Sequence, residues 1–301
     1  MKVGVVVPQG WVLEYTGWDG PDAWARTVAV VQQVERLGFE SVWMYDHFHT
    51  WPEPRDEVVL EPFTALSALA ALTRRVRIGH IVICTGFRNP ALTAKMISTL
   101  DVVSGGRAEL GIGAGWNQEE WEAFGYDFPS APERLATLRD HLEIITRMLE
   151  PGDGRATFEG RYARVAMAVN QPKPVQRPRV PVMVGGNGPD VTWRLAARYA
   201  DELNLDGLDP AEVAAALPTI ASRCEEIGRD PDTLPVSVHT WRESPGVSDP
   251  GQRRVDLYGA YTELGLSRVQ SFVDGMVEGP EALEAFAADL RQAGIELAAE
   301  G

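Results

Sequence analysis

Short apolar runs alternate with longer segments of helical periodicity along the whole chain. The runs rich in Val and Ile lie at 3–7, 41–45, 76–83, 108–112, 180–184, 200–205, 235–240 and 268–273. The helical segments follow them, at 22–37, 62–72, 90–103, 133–149, 190–199, 211–227, 253–263 and 282–293. Several runs lack polar alternation, which is typical of strands covered on both faces. Eight strand–helix units predict an α/β fold, a closed (β/α)8 TIM barrel rather than an open doubly wound sheet, and we expect one domain over 1–301.

The charge balance restricts the partners that the chain can bind. Asp and Glu number 43 against 28 Lys and Arg, which gives a formal net charge of −15. Such a field repels nucleic-acid phosphates and anionic lipid, so we expect a small-molecule substrate rather than nucleic acid or a membrane surface. Cys84 and Cys224 lie too far apart for a metal clip, and no secretion signal is recognisable. The sequence therefore predicts a reduced, cytoplasmic protein.

Four connections are longer than ordinary loops. Segments 46–61, 113–132 and 241–252 follow predicted strands, so a barrel places them at its C-terminal face, where barrel enzymes carry their chemistry. The fourth, 151–179, follows a helix, and its 157–162 part has the pattern of a small hairpin. We therefore expect loop insertions at the C-terminal face to form the functional site, and 151–179 to be structural.

A carboxylate and two imidazoles follow the second predicted strand, as Asp46, His47 and His49. A neutral imidazole can accept or donate a proton near physiological pH, and an adjacent carboxylate can orient it. The alternative is that Asp46 caps a turn and His47 is a hydrogen-bonded wall residue. The His-x-His spacing is also similar to that of barrel metallohydrolases, but of the other histidines only His239 is placed to reach the mouth. We therefore predict proton transfer here and no metal site.

Two glycine-rich segments follow predicted strands. Residues 111–116 bring backbone close to a flat ligand and offer Trp116 for stacking. Residues 185–190 lead into a helix that we expect to begin at Pro189, so that free backbone N–H groups and the helix dipole can hold a phosphate. The alternative is that these glycines only allow a tight turn between strand and helix. A phosphate site there would let an acidic protein hold an anionic cofactor.

Six segments together resemble one protein family. They read YDHF at 45–48, FRNPAL at 87–92, LDVVSGGR at 100–107, GIGAGW at 111–116, KPVQRP at 173–178 and VGGNG at 184–188. In this order they resemble the luciferase-like monooxygenase superfamily, and within it the branch of oxidoreductases that use the deazaflavin coenzyme F420. The resemblance runs from Met1 to Asn204 and fades after it, and its most specific part is Ser-Gly-Gly-Arg after a Leu-Asp pair.

The resemblance implies a deazaflavin at the barrel mouth, where it exchanges a hydride with a substrate stacked on one face. Asp46 would hydrogen-bond this cofactor, and His47 would donate or accept the proton. Trp51 would line the substrate side as the second catalytic residue, and a non-proline cis peptide at Ile81–Val82 would lie behind the ring.

The same resemblance gives roles to the glycine-rich segments. Gly113 and Gly115 would pass close to the ring or its tail. The residues that would hold the phosphate are Gly185, Gly186, Asn187 and Gly188.

One position departs from the relatives that oxidise sugar phosphates or simple alcohols. Those proteins carry a catalytic glutamate where this chain has Trp116. We expect Trp116 and Glu119 to line a larger, partly apolar substrate; the alternative for Glu119 and its neighbour Glu120 is a solvent-facing position. The sequence predicts a reductase or oxidase of an organic metabolite, with His47 as its proton-transfer residue.

Three alternatives stay open on the sequence alone. An FMN-dependent monooxygenase of the same superfamily is the nearest, although its members tend to show Glu-His-His where this chain has Asp46-His47-Phe48. A non-catalytic flavin-binding protein and a barrel metallohydrolase are the others. The family is often dimeric, and the apolar helix face at 64–72 fits a homodimer contact as well as it fits the core.

Overall fold

The strands of the molecule close into a parallel barrel. The computed structural model describes residues 1–152, 155–244 and 246–298. Its strands are β1 (Lys2–Val6), β2 (Ser41–Met44), β3 (Arg77–His80), β4 (Ile83–Cys84), β5 (Ala108–Gly113), β6 (Ala156–Glu159), β7 (Arg164–Ala168), β8 (Val182–Gly185), β9 (Glu202–Asp206), β10 (Val236–Thr240) and β11 (Arg268–Phe272). The barrel order is β3-β2-β1-β11-β10-β9-β8-β5, and pairing of β3 with β5 closes it. The predicted (β/α)8 barrel is confirmed.

Helices surround this barrel. They are α1 (Gly20–Leu37), α2 (Pro62–Leu72), α3 (Pro90–Ser104), α4 (Gln118–Ala123), α5 (Ala131–Leu149), α6 (Thr192–Tyr199), α7 (Pro210–Glu225), α8 (Gln252–Glu263) and α9 (Glu281–Gln292). Proline occupies the first turn of α2, α3 and α7, where a missing N–H costs nothing, and left-handed Gly38 and Gly105 end α1 and α3. Among the helices of the described residues, none is both long and apolar enough to span a bilayer.

Three local features differ from the sequence-based expectation. The predicted third strand is interrupted, because Ile81–Val82 separates β3 from β4; this peptide bond is cis, as the resemblance implied. The loop after β5 contains α4, a helix too short for its periodicity to be recognised. The expected helix start at Pro189 is wrong: residues 189–191 form a turn and α6 begins at Thr192. The hairpin predicted around 157–162 is present as β6 and β7.

Charged side chains fill the N-terminal end of the barrel interior. Arg268 of β11 donates to Glu109 of β5 through Nη1 at 2.6 Å and Nη2 at 3.1 Å. Arg77 of β3 donates to the same carboxylate through Nε. Because β11 and β5 are not neighbours in the sheet, the Arg268–Glu109 pair crosses the inside of the barrel. The opposite, C-terminal end of the barrel is open.

Candidate active site

A cavity of about 270 Å³ opens at the C-terminal ends of the strands. Its wall includes residues at or just beyond the ends of β2, β4, β5, β8, β9 and β10. The sequence-predicted residues in this wall are Asp46, His47, Ile81, Val82, Gly113, Gly115, Trp116, Gly185 and Gly186. Distant parts of the chain that were expected to carry the chemistry therefore meet in one cavity.

Four of the sequence-predicted residues lie outside the cavity wall. Trp51 lies at the rim, edge-on to Trp116 with ring centroids 4.9 Å apart. The Asn187 side chain is bound to the backbone of Asp206, and Gly188 lies beside the Thr192 side chain. Glu119 is exposed on α4 and does not reach the cavity, so the structure does not place it where a substrate-lining residue is expected.

Asp46 is fixed by a partly buried arginine. Arg88 donates to both carboxylate oxygens, at 2.7 and 2.9 Å, and the Cys84 backbone N–H donates to Oδ2 at 2.8 Å. Arg88 also donates to Glu61, at 2.9 Å. Burial raises the pKa of Asp46, although the Arg88 charge opposes the rise. The arrangement gives this part of the wall a rigid, charge-balanced carboxylate.

His47 is oriented by Glu120. Nδ1 of His47 lies 2.7 Å from Oε2 of Glu120, whose other oxygen accepts the backbone N–H groups of Phe48 at 2.6 Å and His49 at 3.3 Å. The Glu120 side chain is 0% exposed. Burial acts to raise its pKa, but the bonds from His47 and from the two N–H groups outweigh burial and hold the pKa below its usual value. Glu120 is therefore an ionised acceptor at neutral pH.

A solvent-facing position for Glu120 is therefore wrong. Successive residues of a helix point about 100° apart, so on the short helix α4 Glu119 faces solvent while Glu120 faces the cavity. Asn117 caps the start of this helix, and its Oδ1 accepts the Glu120 N–H at 3.5 Å. The sequence signal that could have identified Glu120 is the helix start at Asn117, which fixes the direction of each side chain in the first turn.

The second ring nitrogen of His47 is left available to a ligand. An ionised Glu120 requires a proton on Nδ1, and within the described parts of the chain Nε2 has no hydrogen-bond partner. The ring stacks on Trp11 with centroids 4.0 Å apart and planes 2° apart, and Trp116 packs against its edge at 5.8 Å. His47 therefore presents a fixed basic nitrogen to the cavity, or an acidic N–H once it is protonated.

A second hydrogen-bonded chain lines the other side of the cavity. The Tyr45 hydroxyl lies 3.0 Å from Nε2 of His239, and Nδ1 of His239 lies 3.1 Å from Oδ1 of Asp206. Trp241 donates to the same oxygen of Asp206 at 2.7 Å and stacks on Tyr45. His239 was expected to reach the mouth and does so, whereas Tyr45 and Asp206 were not identified as site residues.

The glycines beside the cavity make room for Val82. A Cβ on Gly113 would lie 2.8 Å from Val82 Cγ2, and a Cβ on Gly185 would lie 2.9 Å from Val82 Cγ1. Gly186 has φ of 130°, a backbone conformation that L side chains rarely adopt. These glycines therefore let two strand ends approach Ile81–Val82.

Two buried donors in the cavity wall lack partners. Nε1 of Trp11 and Nδ2 of Asn117 are enclosed, yet neither finds an acceptor among residues 1–152, 155–244 and 246–298. A buried donor left unpaired costs about 1–3 kcal/mol, so such groups usually await a ligand or an ordered water. A flat ring that carries carbonyl and ring-nitrogen acceptors fits this donor set. The residues present therefore suit a deazaflavin or flavin.

The cavity wall contains three carboxyl groups, those of Asp46, Glu120 and Asp206, and within the described residues it contains no Lys or Arg. Arg88, which is not part of the wall, pairs with Asp46. The described residues also contain no group of three or more His, Cys, Asp or Glu placed to bind a metal. Nδ1 of His49, the partner of His47 in the metallohydrolase alternative, is instead 3.0 Å from the Thr50 carbonyl oxygen.

Two relatives are similar to this chain in sequence. A 5,10-methylenetetrahydromethanopterin reductase of Methanopyrus kandleri is 27% identical over 222 residues, which cover 70% of this chain and 60% of the relative. An F420-dependent glucose-6-phosphate dehydrogenase of Microbacterium testaceum is 36% identical over 206 residues, which cover 66% of this chain and 59% of the relative. The chain thus spans about three fifths of the length of these relatives.

The fold is also that of solved structures. An F420-dependent secondary alcohol dehydrogenase in complex with an F420-acetone adduct superposes with a TM-score of 0.68 at 22% identity, covering 98% of this chain and 91% of that one. The sequence family described as luciferase-like monooxygenase matches residues 1–241. The chain therefore belongs to the luciferase-like monooxygenase family.

Proposed function

We propose that this protein is an oxidoreductase that transfers a hydride between the deazaflavin coenzyme F420 and an uncharged organic substrate. The observation that carries the proposal is the His47–Glu120 pair, which holds one imidazole nitrogen free at a cavity with two unpaired buried donors. The F420-dependent relatives support the choice of cofactor. When bound, F420 supplies a carbon that gives or takes a hydride.

The side chains of the cavity would perform the remaining chemistry. His47 would transfer a proton to or from the substrate through Nε2, while Glu120 keeps the ring in one orientation. Trp11 and Asn117 would donate hydrogen bonds to acceptor atoms of the ring. Asp46, paired with Arg88, would lie against the cofactor on the β2 side of the cavity. Trp51 and Trp116 would cover the substrate at the rim.

The phosphate of the cofactor would bind where β8 ends. The backbone N–H groups of Asn187 and Gly188 find no acceptor within the described residues, and Gly186 adds no side chain next to them. Local N–H dipoles can hold an anion even where the net charge of the protein is −15.

The charge of the cavity limits the substrate class. A phosphorylated substrate needs a cation or several donors, and the described cavity wall contains three carboxylates without Lys or Arg. The aromatic rings of Trp11, Tyr45, Trp116 and Trp241 offer flat apolar contacts instead. We therefore propose a neutral, unsaturated or partly aromatic substrate, and not a sugar phosphate.

Cofactor binding is tested by titrating the protein with F420 and with FMN while tryptophan fluorescence is recorded. We expect F420 to bind at least about tenfold more tightly than FMN, a difference of about 1.4 kcal/mol. A deazaflavin that lacks the phosphate tail should bind more weakly than F420, and Gly186→Ala should abolish that difference. Gly17→Ala is the matched control, because Gly17 also has a positive φ but nothing lies within 4 Å of its Cβ position.

Substrate class is tested with the loaded protein. Reduced F420 should be reoxidised by cyclohex-2-enone without oxygen, whereas oxidised F420 with glucose 6-phosphate should show no reaction. Oxidation of glucose 6-phosphate would overturn the substrate class and leave the cofactor unaffected. Oxygen consumption with reduced FMN alone would favour the monooxygenase, and a bound cofactor that no substrate reoxidises would favour a binding protein.

Cellular location and assembly stay predictions. A cytoplasmic location and a homodimer follow from the resemblance and the composition, and sedimentation equilibrium of the purified protein measures the second of these.

A further inference from the structure

The reaction proposed above moves two protons as well as a hydride. When a dihydro cofactor reduces an organic substrate, the substrate gains a hydride and one proton, and the ring nitrogen of the cofactor gives up another proton. Each turnover therefore releases one proton and takes up another, and two groups of the protein can share these transfers, one as donor and one as acceptor. His47 can serve only one of these at a time, because a single ring nitrogen faces the cavity.

The two hydrogen-bonded chains of the cavity end in different surroundings. Behind His47, the chain ends at Glu120, whose side chain is 0% exposed, so a proton has no route outward on that side. Behind Tyr45 and His239, the chain ends at Asp206, whose side chain is 51% exposed. Of the two chains, only the second ends at an exposed side chain, and because Asp206 also borders the cavity, water reaches its carboxylate at the cavity mouth.

The second chain is held at both ends by side chains that bind the backbone of its end residues. Gln9 accepts the Tyr45 N–H at 2.7 Å and donates to the Tyr45 carbonyl oxygen at 3.1 Å. Asn187 accepts the Asp206 N–H at 2.9 Å and donates to the Asp206 carbonyl oxygen at 2.8 Å. Both end residues are therefore clamped through their backbones, and His239 bridges them from β10.

The protonation states follow from the acceptors. Burial acts to raise the pKa of Asp206, but hydrogen bonds from His239 and Trp241 outweigh it and lower the pKa. An ionised Asp206 requires the proton of His239 on Nδ1, so Nε2 accepts from the Tyr45 hydroxyl. Burial, helped by the charges of Glu14, Asp206 and Glu243, raises the pKa of Tyr45 well above its usual value. Tyr45 therefore passes a proton on only as it receives another.

We propose that Tyr45, His239 and Asp206 form a second proton path, which carries the proton released in the cavity out to solvent. A proton from the cavity binds the Tyr45 oxygen, while the hydroxyl proton of Tyr45 moves to Nε2 of His239. The Nδ1 proton of His239 moves to Asp206, which releases it to water, and His239 is left with its proton on Nε2. Once the product has left, the same three transfers run backwards: they bring one proton from water into the cavity, where it replaces the proton that His47 gave to the substrate, and they return His239 to its Nδ1 form. The path rests on the proposed function and adds Tyr45, His239 and Asp206 to it.

The first test compares two tyrosine variants. Tyr45→Phe removes the hydroxyl from the path, and Tyr258→Phe removes an equally buried hydroxyl that bonds Ser271 outside the cavity. With reduced F420 and cyclohex-2-enone, Tyr45→Phe should lower kcat by about thirtyfold, within the usual range for proton-transfer groups, and should leave the F420 dissociation constant within about threefold. Tyr258→Phe should leave both unchanged. Urea midpoints of the two variants report their folding.

The second test needs neither cofactor nor substrate. In protein labelled with ¹⁵N-histidine, the ring signals of His239 are assigned by their absence from His239→Gln. The wild type should show a proton on Nδ1 and none on Nε2, and Asp206→Asn should change the balance between the two tautomers. Asp206→Asn should also lower kcat, but by a smaller factor than Tyr45→Phe does.

The two tests separate the possible failures. If the wild-type protein does not bind F420, the proposed function is contradicted. The proton path is then contradicted as well, because it depends on that reaction. A wild type that turns over while Tyr45→Phe matches Tyr258→Phe overturns the path alone. A His239 that carries its proton on Nε2 also overturns it, because Tyr45 would then receive a hydrogen bond from His239 rather than donate one.

Discussion

Both ends of the barrel hold buried charged side chains, but the two ends use them differently. At the N-terminal end, Glu109 accepts from Arg268 and Arg77, and Glu40 and Glu202 lie 3.3 and 3.7 Å from Arg268. Arg268 also packs over the Trp43 ring, with the guanidinium carbon 5.3 Å from the ring centroid. Every charge in this cluster has an opposite charge beside it, and side chains fill the space between the strands.

At the C-terminal end, some hydrogen-bond donors are left unpaired by the described residues and remain available to a ligand. Arg88 neutralises Asp46, but His47 keeps one nitrogen free, and Trp11 and Asn117 have no acceptor among the described residues. The contrast teaches that burial of charge alone does not identify a functional site. What distinguishes the open end is that some of its polar groups, Nε2 of His47 among them, have no partner among the described residues and border a cavity of about 270 Å³.

The largest expected effect follows from substitution of Glu109, at the N-terminal end. Glu109→Gln keeps the shape of the side chain but removes the charge between Arg77 and Arg268, so two guanidinium groups are left close together. We expect a loss of about 3 kcal/mol in the free energy of unfolding, at the lower end of the range for breaking a buried pair, because Glu40 and Glu202 still contact Arg268. Urea denaturation followed by tryptophan fluorescence measures the loss.

Cofactor affinity is the control for this variant, because the charge cluster lies at the end of the barrel away from the cavity. In the absence of urea, the F420 dissociation constant of this variant should stay within about twofold of the wild-type value. A stable Glu109→Gln protein with weakened F420 binding would contradict the division of labour between the two ends.

The opposite outcome is expected for His47→Gln. The variant removes the basic nitrogen but keeps a polar side chain of similar reach, so we expect turnover to fall about a hundredfold, which corresponds to about 2.7 kcal/mol of activation free energy. F420 affinity should change by less than about threefold, because the substitution leaves Trp11 and Asn117 in place. Steady-state kinetics with reduced F420 and cyclohex-2-enone, together with fluorescence titration, separate the two quantities.

His49→Gln is the matched control for His47→Gln. His49 lies two residues further on, and its Nδ1 is bound to the Thr50 carbonyl rather than to Glu120. Turnover of His49→Gln should stay close to that of the wild type. Equal losses in both variants would show that the loop conformation, and not proton transfer by His47, limits the reaction.

The fold was predictable from the sequence because its signals are local. Apolar runs, prolines in first helical turns and glycines after helices are each read within a few residues, and the barrel follows from their number and order. Asp46 and His47 were predictable for the same reason, since the end of a barrel strand points to the mouth.

The rest of the site depends on contacts between distant segments. His239 meets Tyr45 across 194 positions of sequence, and only closure of the barrel brings β10 and the end of β2 together. Glu120 was missed because the direction of a side chain on a six-residue helix depends on where that helix begins. The expected phosphate-binding helix start at Pro189 failed because a turn takes up the residues before Thr192. The roles given to Trp51 and the glycine loop stay predictions.

The smallest expected effect concerns His80, which belongs to neither end. It is completely buried on β3, and its ring packs on Phe63 of α2 with centroids 4.1 Å apart. Burial, with the nearby charge of Arg88, lowers the pKa of His80 from its usual 6.5 to about 3. The folded protein therefore keeps this ring neutral, while the unfolded chain binds a proton below pH 6.5, so His80 should reduce stability progressively as the pH falls from 6.5 towards 3.

His80→Leu should remove this part of the acid sensitivity. We compare the free energies of unfolding of the wild type and of His80→Leu at a pH of about 7.5 and at a pH of about 5.5, one unit below the usual histidine pKa. Between these two pH values the wild type should lose about 1 kcal/mol more than His80→Leu. Urea midpoints at the two pH values measure the change, and His141 titrates in both proteins and cancels from the comparison. If stability depends on pH in the same way in both proteins, the buried imidazole of His80 gains its proton without unfolding. The barrel would then tolerate a buried cation even where no opposite charge pairs with it.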